Sequence, residues 1–192
     1  FKKTGTGTTT LSGANTYTGA TTISEGTLKV TGSLSDKTDV NVSAGTYQVA
    51  KSDSVNSITG AGSVEIFPGE TLNVSGDTTA NTTFSGVIRA GGSLEKSGTS
   101  TLTLSGSNQY TGDTTISAGV LATSSSNSLS ENSSTTVKSG GVINLNSTSQ
   151  TISDLVVEKG GEVTGAEESS LLSVNRLLNA GEIDFAVLHG TD

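Results

Sequence analysis

Short runs in which apolar and polar residues alternate fill this chain. Val40-Asn41-Val42, Tyr47-Gln48-Val49, Val64-Glu65-Ile66 and Leu72-Asn73-Val74 each put every second side chain on one side of an extended backbone. Thr21-Thr22-Ile23-Ser24 and Thr27-Leu28-Lys29-Val30 are close to the same pattern, which returns at 101–104, 142–145, 155–157 and 183–185. The runs are short, rich in β-branched residues and bounded by Gly, Asn, Asp or Ser, so they predict strands. One stretch, Ser169–Leu178, could be an amphipathic helix. Ser173, Asn175 and Arg176 interrupt it and favour a strand with a bend.

Spacing then decides how the strands are arranged. Apolar clusters recur about every 6–8 residues, and roughly three of them make a return of about 19–24 residues, the pattern of a stacked coil. With one short strand per side and coils ~4.8 Å apart, about eight or nine coils would make a rod roughly 40 Å long. An antiparallel sandwich would call for two-residue hairpin turns of the Asn-Gly or Asp-Gly kind, and neither dipeptide occurs. The predicted fold is all-β, a right-handed parallel β-helix.

A long internal repeat supports the stack. Residues 1–30 and 94–123 are identical at eighteen of thirty positions without a gap, including Leu11/Leu104, Gly13/Gly106, Asn15/Asn108, Tyr17/Tyr110, Ile23/Ile116 and Gly26/Gly119. Looser matches follow, with Ser33-Leu34-Ser35 echoed by Ser128-Leu129-Ser130. The shared residues are apolar side chains, glycines, one Asn and one Tyr, so a fold recurs and not a catalytic set. We therefore expect a β-helix over 1–173 made of two related units, 1–93 and 94–173. Leu11 and Leu104 should occupy equivalent interior positions, and Asn15 and Asn108 should bond the backbone of the next coil from inside turns.

Composition suits a narrow core renewed at every coil. Ser, Thr and Gly make up nearly half the chain, with 4 Phe, 3 Tyr and no Trp, Met or Cys. The net charge is −8, with six basic and seven acidic residues in 1–93 against four and eleven in 94–192. No basic stripe exists to neutralise phosphates, which argues against nucleic acid as a partner. No apolar run approaches the ~20 residues that span a bilayer as helix. The absence of Cys removes disulfide and thiol chemistry. It also fits a chain threaded unfolded through a pore, and a start at Phe1 suggests a piece of a longer precursor.

Candidate chemistry is sparse. The sole His, His189, lies near Asp192 at the chain end, where no geometry for a Ser-His-Asp set is held. Gly-x-Ser-x-Gly does not occur. Glu167-Glu168, with Asp154, Glu158 and Glu162 nearby, match no Ca²⁺-loop pattern and read as a solvated face. Asp36, Asp39, Glu182 and Asp184 alternate with apolar neighbours and point outward. Asn-x-Ser/Thr triplets at Asn41, Asn73, Asn81, Asn132 and Asn146 are no more than this composition produces by chance. Thr8-Thr9-Thr10 and Thr21-Thr22 fall on no regular coil-length ladder, so an ice-binding array is not expected. No catalytic, cofactor-binding or metal-binding residue is assigned.

The pattern Lys3-x-Gly5-x-Gly7, Thr10-Leu11-Ser12-Gly13, Asn15, Tyr17-Thr18-Gly19, Thr21-Thr22-Ile23 and Gly26-Thr27-Leu28 resembles the passenger-associated transport repeat of Gram-negative autotransporters, the type V secretion family. The second copy departs from it at Ser100 and Val120, which stand at the positions of Gly7 and Thr27. Residues 174–185 are similar to the opening of the pertactin-like region, which implies a C-terminal folding and cap region starting over 174–192. The resemblance implies a secreted or surface-displayed passenger segment of an adhesin or self-associating protein, without enzymatic activity or cofactor. Implied partners are a host-cell or bacterial surface protein or glycan, a second copy, and the precursor's own outer-membrane barrel. Two rival readings keep the same rod: a stalk for an upstream protease or esterase, and a carbohydrate-active β-helix, which would need a carboxylate cluster on one face.

Overall fold

The computed structural model describes residues 1–77, 81–165 and 172–179. These contain strands and turns but no helix, and every strand pair is parallel. The chain winds as a β-helix of about eight turns. Partners on neighbouring coils lie 17 residues apart at Thr46 and Ser63 and 24 apart at Ser63 and Val87. That range follows the apolar return seen in the sequence.

Three faces close the coil. The first stacks Lys2–Lys3, Thr21–Ile23, Asp39–Val42 and Ser57–Thr59. It continues, through a parallel bridge from Gly60 to Phe84, into Thr82–Phe84, Thr101–Leu104, Gly119–Thr123, Gly141–Asn144 and Glu162–Thr164. The second stacks Thr8–Leu11, Thr27–Val30, Thr46–Val49, Ser63–Ile66, Val87–Ala90 and Gln109–Tyr110. The third stacks Asp53–Val55, Thr71–Val74, Ser93–Lys96, Thr114–Ile116, Thr135–Val137, Gln150–Val157 and Leu172–Asn179.

Alternation along each strand builds the core. In Thr27–Val30, Thr46–Val49, Ser63–Ile66 and Thr71–Val74 the even steps are buried and the odd steps half-buried. The inward columns are Leu28 over Tyr47 over Val64 and Val30 over Val49 over Ile66, all fully buried. A one-residue register slip would turn each column out to water, so burial locks the pairing. Leu11 and Leu104 hold equivalent registers beside Val30 and Thr123, but only Leu104 is fully buried. Leu11 is half-buried where it packs against the core.

The two repeat copies sit on different faces, which the sequence did not suggest. Lys2–Lys3, Thr8–Leu11, Thr21–Ile23 and Thr27–Val30 alternate between the first and second faces. Their counterparts in Ser93–Lys96, Thr101–Leu104, Thr114–Ile116 and Gly119–Thr123 alternate between the third and first. From Thr22 the first face returns at Asn41, Thr59, Thr83 and Thr103, and the path then crosses the second face to Thr115 on the third. A shift of 93 residues is thus four and two-thirds turns, and the second copy is rotated by one face.

The sequence expectation about threonine rows is overturned. Thr8, Thr27 and Thr46 are successive Cα partners and Ser63 continues the row, because coils of 19, 19 and 17 residues bring them into register. The adjacent outward row holds Thr10, Lys29, Gln48, Glu65 and Arg89, so long charged side chains break up any flat hydroxyl array. Glu65 accepts from Gln48 at 2.7 Å and pairs with Arg89 at 2.6 Å, while Lys29 lies 5.3 Å from the Phe67 ring centre.

The expected strand at 183–185 lies outside the described residues, as does the part of the expected 174–192 cap from 180 onward. The ambiguous stretch at 169–178 is strand where it is described: Leu172–Asn179 pairs along Gln150–Val157 and runs across position 173 without a break.

Glycine is required where one corner rests on the next. The Gly26 carbonyl accepts from Thr46 N at 2.8 Å and the Gly45 carbonyl from Ser63 N at 2.9 Å. A Cβ on Gly45 would stand 2.6 Å from the Gly26 carbonyl oxygen and 2.7 Å from Ile23 Cγ2. One on Gly19 would meet nothing within 4 Å. Gly45→Ala should therefore cost about 3 kcal/mol or more, and Gly19→Ala less than about 0.5 kcal/mol. Urea denaturation of the two variants checks this; equal effects would mean that the corners are not close-packed.

Candidate functional site

Each repeat unit is followed by a segment that leaves the regular strand pattern, and polar clefts open beside it. In the first unit this segment is Ser33-Leu34-Ser35-Asp36, on the side of the third face, tied to the coil before it by a bridge between Ser33 and Ala14. In the second it is Ser128-Leu129-Ser130-Glu131, between the first-face strand Gly119–Thr123 and the third-face strand Thr135–Val137. Both leucines are buried and anchor the segment.

An irregular segment leaves backbone groups without ladder partners, and buried ones must find others. Side chains of the following coil supply them. Leu34 N donates to Asp53 Oδ1 at 3.0 Å, and Leu129 N donates to Gln150 Oε1 at 3.0 Å. Asp53 also accepts from Ser54 N at 3.1 Å and from the Tyr47 hydroxyl at 2.8 Å through Oδ2. Burial holds its carboxyl above the usual range, and these three donors offset only part of that rise. The Tyr47 phenol is raised well above its usual value, first by burial and then by the Asp53 charge.

The repeated Asn behaves as expected. Asn15 Nδ2 donates to the Ser33 carbonyl on the next coil at 2.9 Å, and Asn108 Nδ2 donates to Ser128 at 2.6 Å. Asn108 also accepts from Ile88 N at 2.7 Å, so it joins three consecutive coils. The repeated Tyr pairs with its own unit: Tyr17 with Thr21 Oγ1 at 2.8 Å, Tyr110 with Thr114 Oγ1 at 2.6 Å.

A repeated lysine is the feature that residue patterning missed. Lys3 and Lys96 stand in inward positions, in register with Ile23 and Ile116, and both are buried. Their ammonium groups turn toward corner carbonyls. Lys3 donates to Thr4 at 3.1 Å, Gly5 at 2.5 Å and Glu25 at 3.2 Å; Lys96 donates to Ser97 and to Gly98 at 3.1 Å. Burial lowers Lys96 to about 8, against a small upward pull from Asp77. Its presence in both copies of an otherwise apolar column was the available signal.

Two clefts lie beside the irregular segments. The first, about 380 Å³ and open to solvent, is lined by Leu34, Asp36, Ser52, Asp53, Asn73 and Glu95 among others and spans four coils of the third face. The second, about 190 Å³ and more enclosed, is lined by Asn108, Gln109, Asn127, Leu129, Glu131 and Asn132 among others. Three carboxylates thus line one groove, the arrangement that the carbohydrate-active reading calls for. They are already engaged: Asp53 as above, Glu95 accepting from Ser117 Oγ at 2.6 Å, Asp36 3.9 Å from Lys37 Nζ. Asp154, Glu158 and Glu162 line neither cleft. Glu167, Glu168, His189 and Asp192 lie outside the described residues. Among the described residues no three of His, Cys, Asp or Glu come together as a metal site.

Two outcomes follow. Asp53→Ala strands the Leu34 amide and the Tyr47 hydroxyl and should cost about 2–6 kcal/mol, at roughly 1–3 kcal/mol for each unpaired buried group. Asp53→Asn keeps an acceptor for Leu34, as the Gln150 amide does for Leu129, and should cost less than half as much in chemical denaturation. For Lys96 the folded-state pKa of about 8 lies below the ordinary lysine value of 10.5. Below pH 8 both states hold the proton and the folded state carries the desolvation cost. Between about 8 and 10.5 the unfolded chain binds more protons, so stability rises with pH. The stability difference between the natural chain and Lys96→Met should shift in favour of the natural chain from pH 8 to 10. A flat difference would mean that Lys96 is solvated in the folded state.

Residues 1–30 and 94–122 match the family described as passenger-associated-transport-repeat. Among curated proteins, the chain is 37% identical over 139 residues to the adhesin BmaC autotransporter of Brucella suis biovar 1 (strain 1330). That alignment covers 65% of this chain and 4% of that much longer protein. No solved structure matches. The two matched spans coincide with the rotated copies on the stacked coils, so this chain carries two segments that match the passenger-associated transport repeat, set within a parallel β-helix.

Proposed function

We propose that the chain is a non-catalytic β-helical segment of a passenger that is secreted or displayed at the cell surface. It extends the rod and assists folding and export of an adhesive or self-associating protein. The observation that carries this reading is the pair of transport repeats lying in one uninterrupted parallel stack, together with likeness to a protein named as an adhesin. In such a stack each coil pairs with its predecessor, so coils that emerge one after another fold one after another. Folding outside the membrane then opposes back-sliding. The acidic surface, the engaged carboxylates and the partners named above fit a structural and adhesive role. The two related units, 1–93 and 94–173, are read as one rod, with 174–192 beginning a cap that covers its last apolar layer.

The test uses the complete precursor and scores protease-resistant passenger at the cell surface. Val40 is fully buried on the first face, so Val40→Asp introduces an unpaired carboxylate that costs several kcal/mol locally. Ile183→Asp and Phe185→Asp, in the expected cap, should reduce display more than Val40→Asp does. Equal losses at all three, or a larger loss at Val40, would remove the C-terminal folding role.

A further inference from the structure

The clefts beside the two Ser-Leu-Ser-Asp/Glu segments are the sites that the stacked coils do not account for. We propose that they bind uncharged oligosaccharide, one on the third face and one beside the second. The inference rests on the adhesive-passenger reading for its setting and on cleft chemistry for its content.

Three observations select this ligand class. First, the lining is hydroxyl, amide and carboxylate, with a single leucine in each cleft. Amides and carboxylates together can accept from and donate to the closely spaced hydroxyls of a sugar. Second, no Lys, Arg or His lines either cleft. Lys37, next to Asp36 in sequence, is paired with Asp77 at 2.5 Å. A phosphate, sulfate or sugar acid would therefore meet carboxylates without a counter-charge. Third, neither cleft offers an aromatic or a deep apolar pocket to anchor a peptide side chain. The strands behind the first, Thr71–Val74 and Ser93–Lys96, are paired on both edges, so no free ladder is left for an added strand.

Shape sets the expected length. The first groove crosses four coils, from Asp36 through Ser52 and Asn73 to Glu95. At ~4.8 Å per coil that is about 14 Å, room for a short chain of sugars lying along the rod axis. The second is half the volume and lies toward the preceding coil, between Gln109 and the Asn127–Asn132 stretch, which suits a chain end. Leu34 and Leu129 hold the same place in their loops, and each is tied by its amide to a side chain one coil on. The clefts open on opposite sides of these loops and, through the one-face rotation, on different sides of the rod. A long passenger built from such units would present sugar contacts around its circumference instead of along one stripe.

The test is a nuclear magnetic resonance titration of the ¹⁵N-labelled chain with neutral cello-, chito-, malto- and galacto-oligosaccharides. Sialylated and sulfated oligosaccharides serve as the counter-panel. At least one neutral oligosaccharide should shift amides around Asn73 and Glu95 and around Gln109 and Glu131, at roughly millimolar affinity or better. Asn73→Ala should weaken the first cleft at least tenfold and leave the second unchanged, and Gln109→Ala should do the reverse. Thr103→Ala, on the outer side of the first face, should alter neither, and amide spectra verify that each variant keeps its fold. Absence of neutral binding, binding confined to charged glycans, or binding that neither cleft substitution weakens would overturn the proposal. A passenger that displays normally yet binds no oligosaccharide sinks the clefts and leaves the rod reading standing. A chain that binds oligosaccharide but contributes nothing to display does the opposite.

Discussion

Coil-to-coil hydrogen bonding is the constraint on which everything else in this chain depends. Most strands are only a few residues long, and none has stability of its own. It becomes structure when its amides and carbonyls meet those of the coil before and the coil after. The ladder fixes the spacing between coils, and the spacing decides which residues a corner can hold. At Gly45 a Cβ would meet the Gly26 carbonyl at 2.6 Å, so the corner can close on the coil beneath it only without a side chain. Apolar columns such as Leu28–Tyr47–Val64 then add burial at every layer, in a core too narrow to need large aromatic content.

Irregular turns put that ladder at risk, and the chain repairs them with polar side chains aimed inward. Asp53, Asn108 and Gln150 each accept a backbone amide from a neighbouring coil. Lys3 and Lys96 do the complementary job at corners, where carbonyls converge. In a low-dielectric interior such pairing is strong when complete and costly when broken. This explains why charged groups can stand in columns otherwise filled by Val and Ile.

The period of the repeat links architecture to use. A unit of four and two-thirds turns cannot return the same residues to the same face. The strand and corner chemistry of one copy is therefore carried by the third and first faces in the next. The fold tolerates this because all three faces make equivalent parallel ladders, so a strand that suits one face suits another. What differs is what the rod shows to its surroundings on each side.

Much of this was fixed by residue order alone. The alternation at Val40-Asn41-Val42 or Leu72-Asn73-Val74 is a local signal, as are β-branched content and turn glycines, so strands, parallel stacking and the two related copies were all legible. Asn15 and Asn108 were legible because they recur. Three features were not. The threonine row through Thr8, Thr27 and Thr46 depends on coil lengths of 19 residues in the first turns, which the looser periodicity of the sequence does not resolve. The inward placement of Lys3 and Lys96 depends on strand register, because the same lysine one residue away would lie in water. The clefts beside Leu34 and Leu129 gather residues from up to four coils, as with Asp36, Ser52, Asn73 and Glu95, which are far apart along the chain. Local periodicity specifies a strand and its buried side, whereas the join of one coil to the next is set by closure of the whole turn, and only that join decides which distant side chains meet.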